Sequence, residues 1–166
     1  MLRHTLSRSW LAGLMLAAAA ATSACLGDPE QIISANPDPA MNTYAPALGV
    51  DLSKMTKSAS GLYTQDLTVG TGDVAENGDS VQVHYSGWLP NGFLFDSSRN
   101  PGREPFEFRI GAHRVIPGWE EGVAGMKVGG KRKLVIPANL GYGSSGVGPI
   151  PPNSVLVFDV ELLAIK

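Results

Sequence analysis

The sequence predicts an α+β domain, an antiparallel sheet of five to six strands folded over one short helix. Three observations carry this. Gly 20 and Pro 12 in a chain of 166 residues are too many for a helix bundle, because both residues weaken helix interiors. Several segments alternate apolar with polar residues, the period of a half-buried strand, and turn residues bound them. Only one segment carries convincing helix-start signals, so the repeating strand-helix order of a parallel sheet is missing.

The elements follow in chain order. Leu62 to Val69 is the first strand, closed by Gly70-Thr71-Gly72. Ser80 to Leu89 is clearer, since Val81, Val83 and Tyr85 alternate with Gln82, His84 and Ser86. Pro90-Asn91-Gly92 signals a turn before Phe93-Leu94-Phe95. Phe106, Phe108 and Ile110 alternate with Glu107 and Arg109 in a fourth strand. Pro117 suits the first turn of the helix, Glu120 and Glu121 favour its positive end, and Trp119 and Val123 lie four apart on one face. Gly122 and Gly125 limit its length. Leu134-Val135-Ile136 and Val155 to Leu163 complete the sheet, and the nearly continuous apolar run of the latter predicts a central strand.

Ahead of this domain the chain divides in two. Arg3, His4 and Arg8 precede the apolar run from Trp10 to Leu16 and the alanines 17 to 21, the pattern of a secretory leader over residues 1–24. The single cysteine, Cys25, follows the small residues Thr22-Ser23-Ala24, which resembles a bacterial lipobox and predicts lipidation at Cys25. Thr22 stands where that motif prefers an aliphatic residue, so ordinary cleavage after Ala24 is the competing reading. Residues 25–60 carry Pro29, Pro37, Pro39 and Pro46 without sustained period and read as a flexible tether. The alternative is that Ala47 to Lys57 adds a short helix or edge strand to the domain over 61–166.

Composition excludes several functions. The net charge of −2 falls to −4 when cleavage removes Arg3 and Arg8, so neither nucleic acid nor anionic lipid is drawn by a basic surface. Membrane contact is then expected only through a lipid anchor. One cysteine forms no intramolecular disulfide and no Cys-rich zinc site. His84 and His113, the histidines of the mature chain, lie in no metal-ligand spacing, so no metal and no cofactor are expected. Gly125-Met126-Lys127-Val128-Gly129-Gly130-Lys131 imitates a phosphate-binding loop, but Arg132 replaces the magnesium-binding hydroxyl and the order is helix then strand. The Lys131-Arg132-Lys133 run reads as a solvated strand end. Ser86, Ser97, Ser98, Ser144 and Ser145 sit in no GxSxG elbow, which leaves hydrolysis without a cue.

Aromatic side chains beside turns are the remaining feature. Tyr85, Trp88, Phe93, Phe95, Phe106, Phe108, Trp119, Tyr142 and Phe158 are individually core residues by expectation. With Asp96 and the glycine-rich loop 141–148 they suit a concave apolar pocket with few polar anchors, fit for a proline ring.

Five motifs in order then become specific: Val83-His84-Tyr85-Ser86-Gly87-Trp88-Leu89, Phe95-Asp96-Ser97-Ser98-Arg99, Val115 through Val123, Gly141-Tyr142-Gly143, and Ile150-Pro151-Pro152-Asn153 through Leu163. Residues 61–166 resemble the FKBP-type peptidyl-prolyl cis-trans isomerases. The resemblance implies a half-barrel wrapped on one helix and a pocket that binds proline-containing polypeptides and macrolide inhibitors. It implies Trp119 as pocket floor, Tyr85, Phe95, Phe106, Val115, Ile116 and Phe158 as walls, and Asp96, Tyr142 and the Ile116 backbone as polar contacts. Tyr85, Asp96, Trp119 and Tyr142 are thus the expected catalytic set, Ile150 overhangs the pocket and Phe108 supports it. The loop from Asn100 to Glu104 is slightly longer than in compact members, which leaves open whether Arg103 pairs with Asp96. The loop from Ser144 to Pro149 is slightly shorter than in some and lacks their histidine. The expected activity is X-Pro isomerisation in exported proteins, by a monomer of the periplasm or cell envelope. A binding module with little activity is the alternative.

Overall fold

A computed structural model of the chain describes residues 36–166. Seven strands form one antiparallel sheet: β1 (Thr56–Lys57), β2 (Tyr63–Thr68), β3 (Ser80–Trp88), β4 (Leu94–Ser97), β5 (Phe106–Arg109), β6 (Lys131–Ile136) and β7 (Leu156–Ile165). Their order is β1-β2-β6-β7-β3-β4, and β5 also pairs with β3. The sheet is open and does not close into a barrel. As its apolar run predicts, β7 is central, paired with β6 on one side and β3 on the other. Register shifts interrupt β3 between Gln82 and Val83 against β7, and between Gly87 and Trp88 against β4. Such bulges sharpen local bend and twist, which lets the sheet wrap its helix.

The period-two pattern divides the core. Val81, Val83 and Tyr85 of β3, Leu134 and Ile136 of β6, and Leu156, Phe158, Val160 and Leu162 of β7 pack with Trp119 and Val123 of helix α1 (Pro117–Val123). Gly118 and Gly122 face β6 closely. A Cβ on Gly118 would lie 2.5 Å from Ile136 Cγ2, and one on Gly122 would lie 2.7 Å from Leu134 Cδ2. These glycines therefore do more than limit helix length; they let its backbone settle on the sheet and carry Trp119 inward.

The basic run at the start of β6 departs from the solvated strand end the sequence suggests. Arg132 Nη1 donates to the carbonyls of Gly122 (3.0 Å) and Ala124 (3.3 Å), satisfying acceptors at the helix C-terminus, while its Nε donates to Asp66 Oδ1 at 2.6 Å. Lys133, only 6% exposed in its side chain, is paired with Asp159 at 2.5 Å.

Residues 36–60 do not form a flexible tether. Single turns of 3-10 helix at Pro39–Met41, Pro46–Leu48 and Leu52–Lys54 lead into β1, which pairs with β2. Leu48 and Met55 enter a second cluster with Tyr63, Val135, Val155 and Val157, on the face of the sheet opposite α1. The segment is thus a strap over the back of the sheet. It is fixed by Ala45 N–H to the Pro90 carbonyl (2.8 Å) and by Ala138 N–H to the Pro37 carbonyl (3.2 Å). The prolines do not loosen this segment; Pro39 and Pro46 start its first two turns, and Asp38 and Asp51 cap the first and third through their side chains. The alternative, a short addition over Ala47 to Lys57, describes part of it. The expected leader, Cys25 and residues 26–35 lie outside the described residues. Among those described, no helix is long and apolar enough to cross a membrane.

Candidate functional site

Between the sheet and α1 lies a cavity of about 550 Å³. Strand β3 directs Tyr85 into it, β4 supplies Phe95 and Asp96, β5 supplies Phe106, and β7 supplies Phe158. Val115 and Ile116 line it from the turn before α1, Trp119 from the helix, and Tyr142 and Ile150 from the long loop between β6 and β7. All ten residues singled out from the sequence therefore share one cavity. Phe108 lies behind them, 5.9 Å from Phe106 and 5.7 Å from Trp119 between ring centroids.

Trp119 is 5% exposed and boxed by edge-to-face partners: Tyr85 at 5.0 Å, Phe158 at 5.3 Å and Phe106 at 6.0 Å. Edge-to-face aromatic pairs are directional, so several of them hold the indole in one orientation. Its Nε1 is buried and has no hydrogen-bond partner among the described residues, so the otherwise apolar floor carries one unpaired donor. The wall opposite depends on Gly87. A Cβ there would lie 2.5 Å from the Phe158 ring and 2.7 Å from that of Phe95, so only glycine admits the 5.5 Å edge-to-face contact between these rings.

The polar edge is a network around one carboxylate. Asp96 Oδ1 accepts from Ser97 N–H (2.9 Å) and Arg103 Nη2 (3.2 Å), and Oδ2 accepts from the Tyr85 hydroxyl. Arg103 thus reaches Asp96 across the lengthened loop. Burial, and then the hydrogen bond to Asp96, push the Tyr85 phenol up to about 12, so it remains a donor at neutral pH. Burial, and then the charge of Asp96, also raise Tyr142 above the ordinary tyrosine value. Ser97 and Ser98 are anchors rather than nucleophiles. Ser97 Oγ donates to the Tyr85 carbonyl (3.0 Å), while Ser98 Oγ accepts the Tyr85 N–H (2.8 Å). Two strands are thereby locked where Tyr85 meets Asp96.

Four further residues line the mouth: His113, Arg114, Val147 and Pro149. Loop residues have no period to reveal which way they face, and only the neighbourhood of Val115-Ile116 and Ile150 pointed to them.

An open antiparallel sheet holding one short helix, with an aromatic cavity between them and a single hydrogen-bonded carboxylate at its edge, defines a small α+β domain built around one apolar pocket. A family model for the FKBP-type peptidyl-prolyl cis-trans isomerases matches residues 72–163, and the chain belongs to that family. An FK506-binding protein of Neisseria meningitidis serogroup B is 51% identical over 106 residues, 63% of this chain and 96% of that protein. FK506-binding protein 4 of Neurospora crassa is 53% identical over 110 residues, 66% of this chain; the chain spans only 23% of its length. The crystal structure of FkpA from Escherichia coli is similar at 49% identity and a TM-score of 0.63, covering 68% of this chain and 52% of that one.

Proposed function

We propose that this protein accelerates cis-trans rotation of X-Pro bonds in polypeptides, without covalent or acid-base chemistry. The observation that carries the reading is the cavity itself: an indole floor and aromatic walls meet only one carboxylate, and that carboxylate is already occupied by hydrogen bonds. Rotation of a peptide bond is slow because twisting breaks amide resonance, a barrier of about 18–20 kcal/mol. The planar amide is the more dipolar form, so a dry apolar pocket penalises it more than the twisted one. Proline packed on Trp119 supplies the binding energy that holds the twisted form, which is differential binding of the transition state. Tyr142, kept protonated, donates to a peptide carbonyl, and Asp96 fixes Tyr85 and Arg103 around it. The same apolar cavity would take a macrolide of the FK506 kind.

The first test is the cis-to-trans rate of short X-Pro peptides with and without the protein. Asp96→Leu is expected to lower kcat/KM about tenfold while the protein stays folded, since each ~1.4 kcal/mol is tenfold in rate and the side chain is 40% exposed. Asp96→Asn retains most of the rate, and the wild-type rate does not fall as pH rises to about 9, because the phenols titrate higher. A bell-shaped pH profile with complete loss in Asp96→Asn would point to proton transfer instead. No acceleration by the folded protein would make it a binding module.

The leader and Cys25 support export, cleavage after Ala24 and anchoring of a monomer to the cell envelope by lipid on Cys25. Intact-mass measurement of the mature protein is expected to show a fatty-acylated N-terminal Cys25. An unacylated Cys25 terminus would exclude lipidation, and an uncleaved chain would exclude the leader as well.

A further inference from the structure

We propose that Arg114 selects substrate by charge, giving the cavity a preference for an acidic side chain beside the proline. This rests on the isomerase reading above. Arg114 lines the cavity mouth, on the turn that leads through Val115 and Ile116 to the Trp119 floor. It is exposed and, among the described residues, makes no ion pair.

The acidic groups around it are committed elsewhere. Asp96, the one carboxylate lining the cavity, is paired with Arg103 and accepts from Tyr85. On the helix behind, Glu120 Oε2 accepts the Gly111 N–H at 2.5 Å and Glu121 accepts from Ser60 Oγ at 2.7 Å. Glu107 on β5 is paired with Lys166 at 2.6 Å, which with Ser80 holds its carboxyl below the usual carboxylate range. Glu120 and Glu121 keep their charge, since their donors are neutral, but neither lines the cavity. Of the charged side chains that do, Asp96 is paired with Arg103 and Arg114 has no carboxylate beside it, so the unpaired charge of the lining is positive. The apolar floor takes the ring, whereas the mouth meets the neighbours of proline. A guanidinium presents a planar fork matched to a carboxylate, so the favoured neighbour is Asp or Glu and the disfavoured one Lys or Arg.

An exposed ion pair contributes modestly, so the expected preference is about two- to fivefold and shrinks as salt screens it. The test measures kcat/KM of the full chain on Ala-Xaa-Pro-Phe and Ala-Leu-Pro-Xaa peptides with Xaa glutamate, lysine or leucine. It is repeated for R114Q and R114E, in low salt and in 0.5 M NaCl. The glutamate-to-lysine ratio is expected to exceed one in at least one series, approach one in high salt and in R114Q, and invert in R114E. A ratio indifferent to R114E in both series, with the leucine peptides still accelerated, overturns the role of Arg114 alone. Failure of the folded wild type to accelerate even the leucine peptides overturns the isomerase reading and this inference with it.

Discussion

Trp119→Ala is expected to lower kcat/KM for X-Pro peptides by about ten- to a hundredfold and to cost about 3–5 kcal/mol of stability. Two losses coincide at this residue. Its ring is the floor that a bound proline would cover, and apolar burial of that size is worth about 1.5–3 kcal/mol. It is also the hub of the aromatic box, so truncation removes the edge-to-face contacts to Tyr85, Phe106 and Phe158 at once. Trp119→Phe separates the two. It keeps an aromatic floor and most of the packing, so it should fold and lose less than tenfold in rate. Thermal melts and peptide kinetics on both variants decide the matter. A folded Trp119→Ala protein with kcat/KM within about twofold of wild type would show that proline does not rest on the indole.

Much of the helix-side architecture was legible because its signals are local. Val81, Val83 and Tyr85 alternate, Trp119 and Val123 repeat on one helix face, and the apolar run of β7 announces a strand buried on both sides. The cavity residues were legible for a different reason: motifs in family order carried them, and no periodicity would have separated Phe95 or Phe158 from ordinary core. What stayed hidden depends on partners distant in the chain. Burial of Lys133 requires Asp159 from the neighbouring strand, and Arg132 finds its acceptors at the end of a helix. Ser97 and Ser98 become anchors only when β4 lies beside β3. Leu48 and Met55 lie seven residues apart, yet no helix joins them: each ends or follows a separate single 3-10 turn, so local periodicity does not set their direction.

Both faces of the sheet are therefore structured, but for different ends. The helix side trades close packing for a cavity of about 550 Å³, and its walls need rigid support. On the back face, Val135, Val155 and Val157 are fully buried beneath the strap. Val135 and Val157 lie on the same strands, β6 and β7, whose alternate residues Leu134, Ile136 and Phe158 back the helix and the cavity, and Val155 directly precedes β7. Covering the back keeps water from these strands while leaving the cavity mouth untouched.

Removing residues 1–57 is accordingly expected to lower the melting temperature by about 10 °C, through a loss of about 2–3 kcal/mol. Leu48 and Met55 leave the core with the strap, and each buried apolar side chain contributes about 1.5–3 kcal/mol. The chain-ordering entropy of the segment, no longer spent, offsets part of that loss. Uncovered Tyr63, Val135, Val155, Val157 and Trp88 form a contiguous apolar patch, so the shortened chain should also self-associate as its concentration rises. Because the cavity opens on the opposite face, kcat/KM per folded molecule should stay within about twofold at low temperature. Leu48→Ala with Met55→Ala in the full chain should reproduce much of the melting shift without shortening the chain. Calorimetry and sedimentation on the three proteins test this together. A shortened chain that melts with wild type and remains monomeric would make the strap a passive covering, and the burial of Leu48 and Met55 would then be balanced by the entropy of ordering the segment.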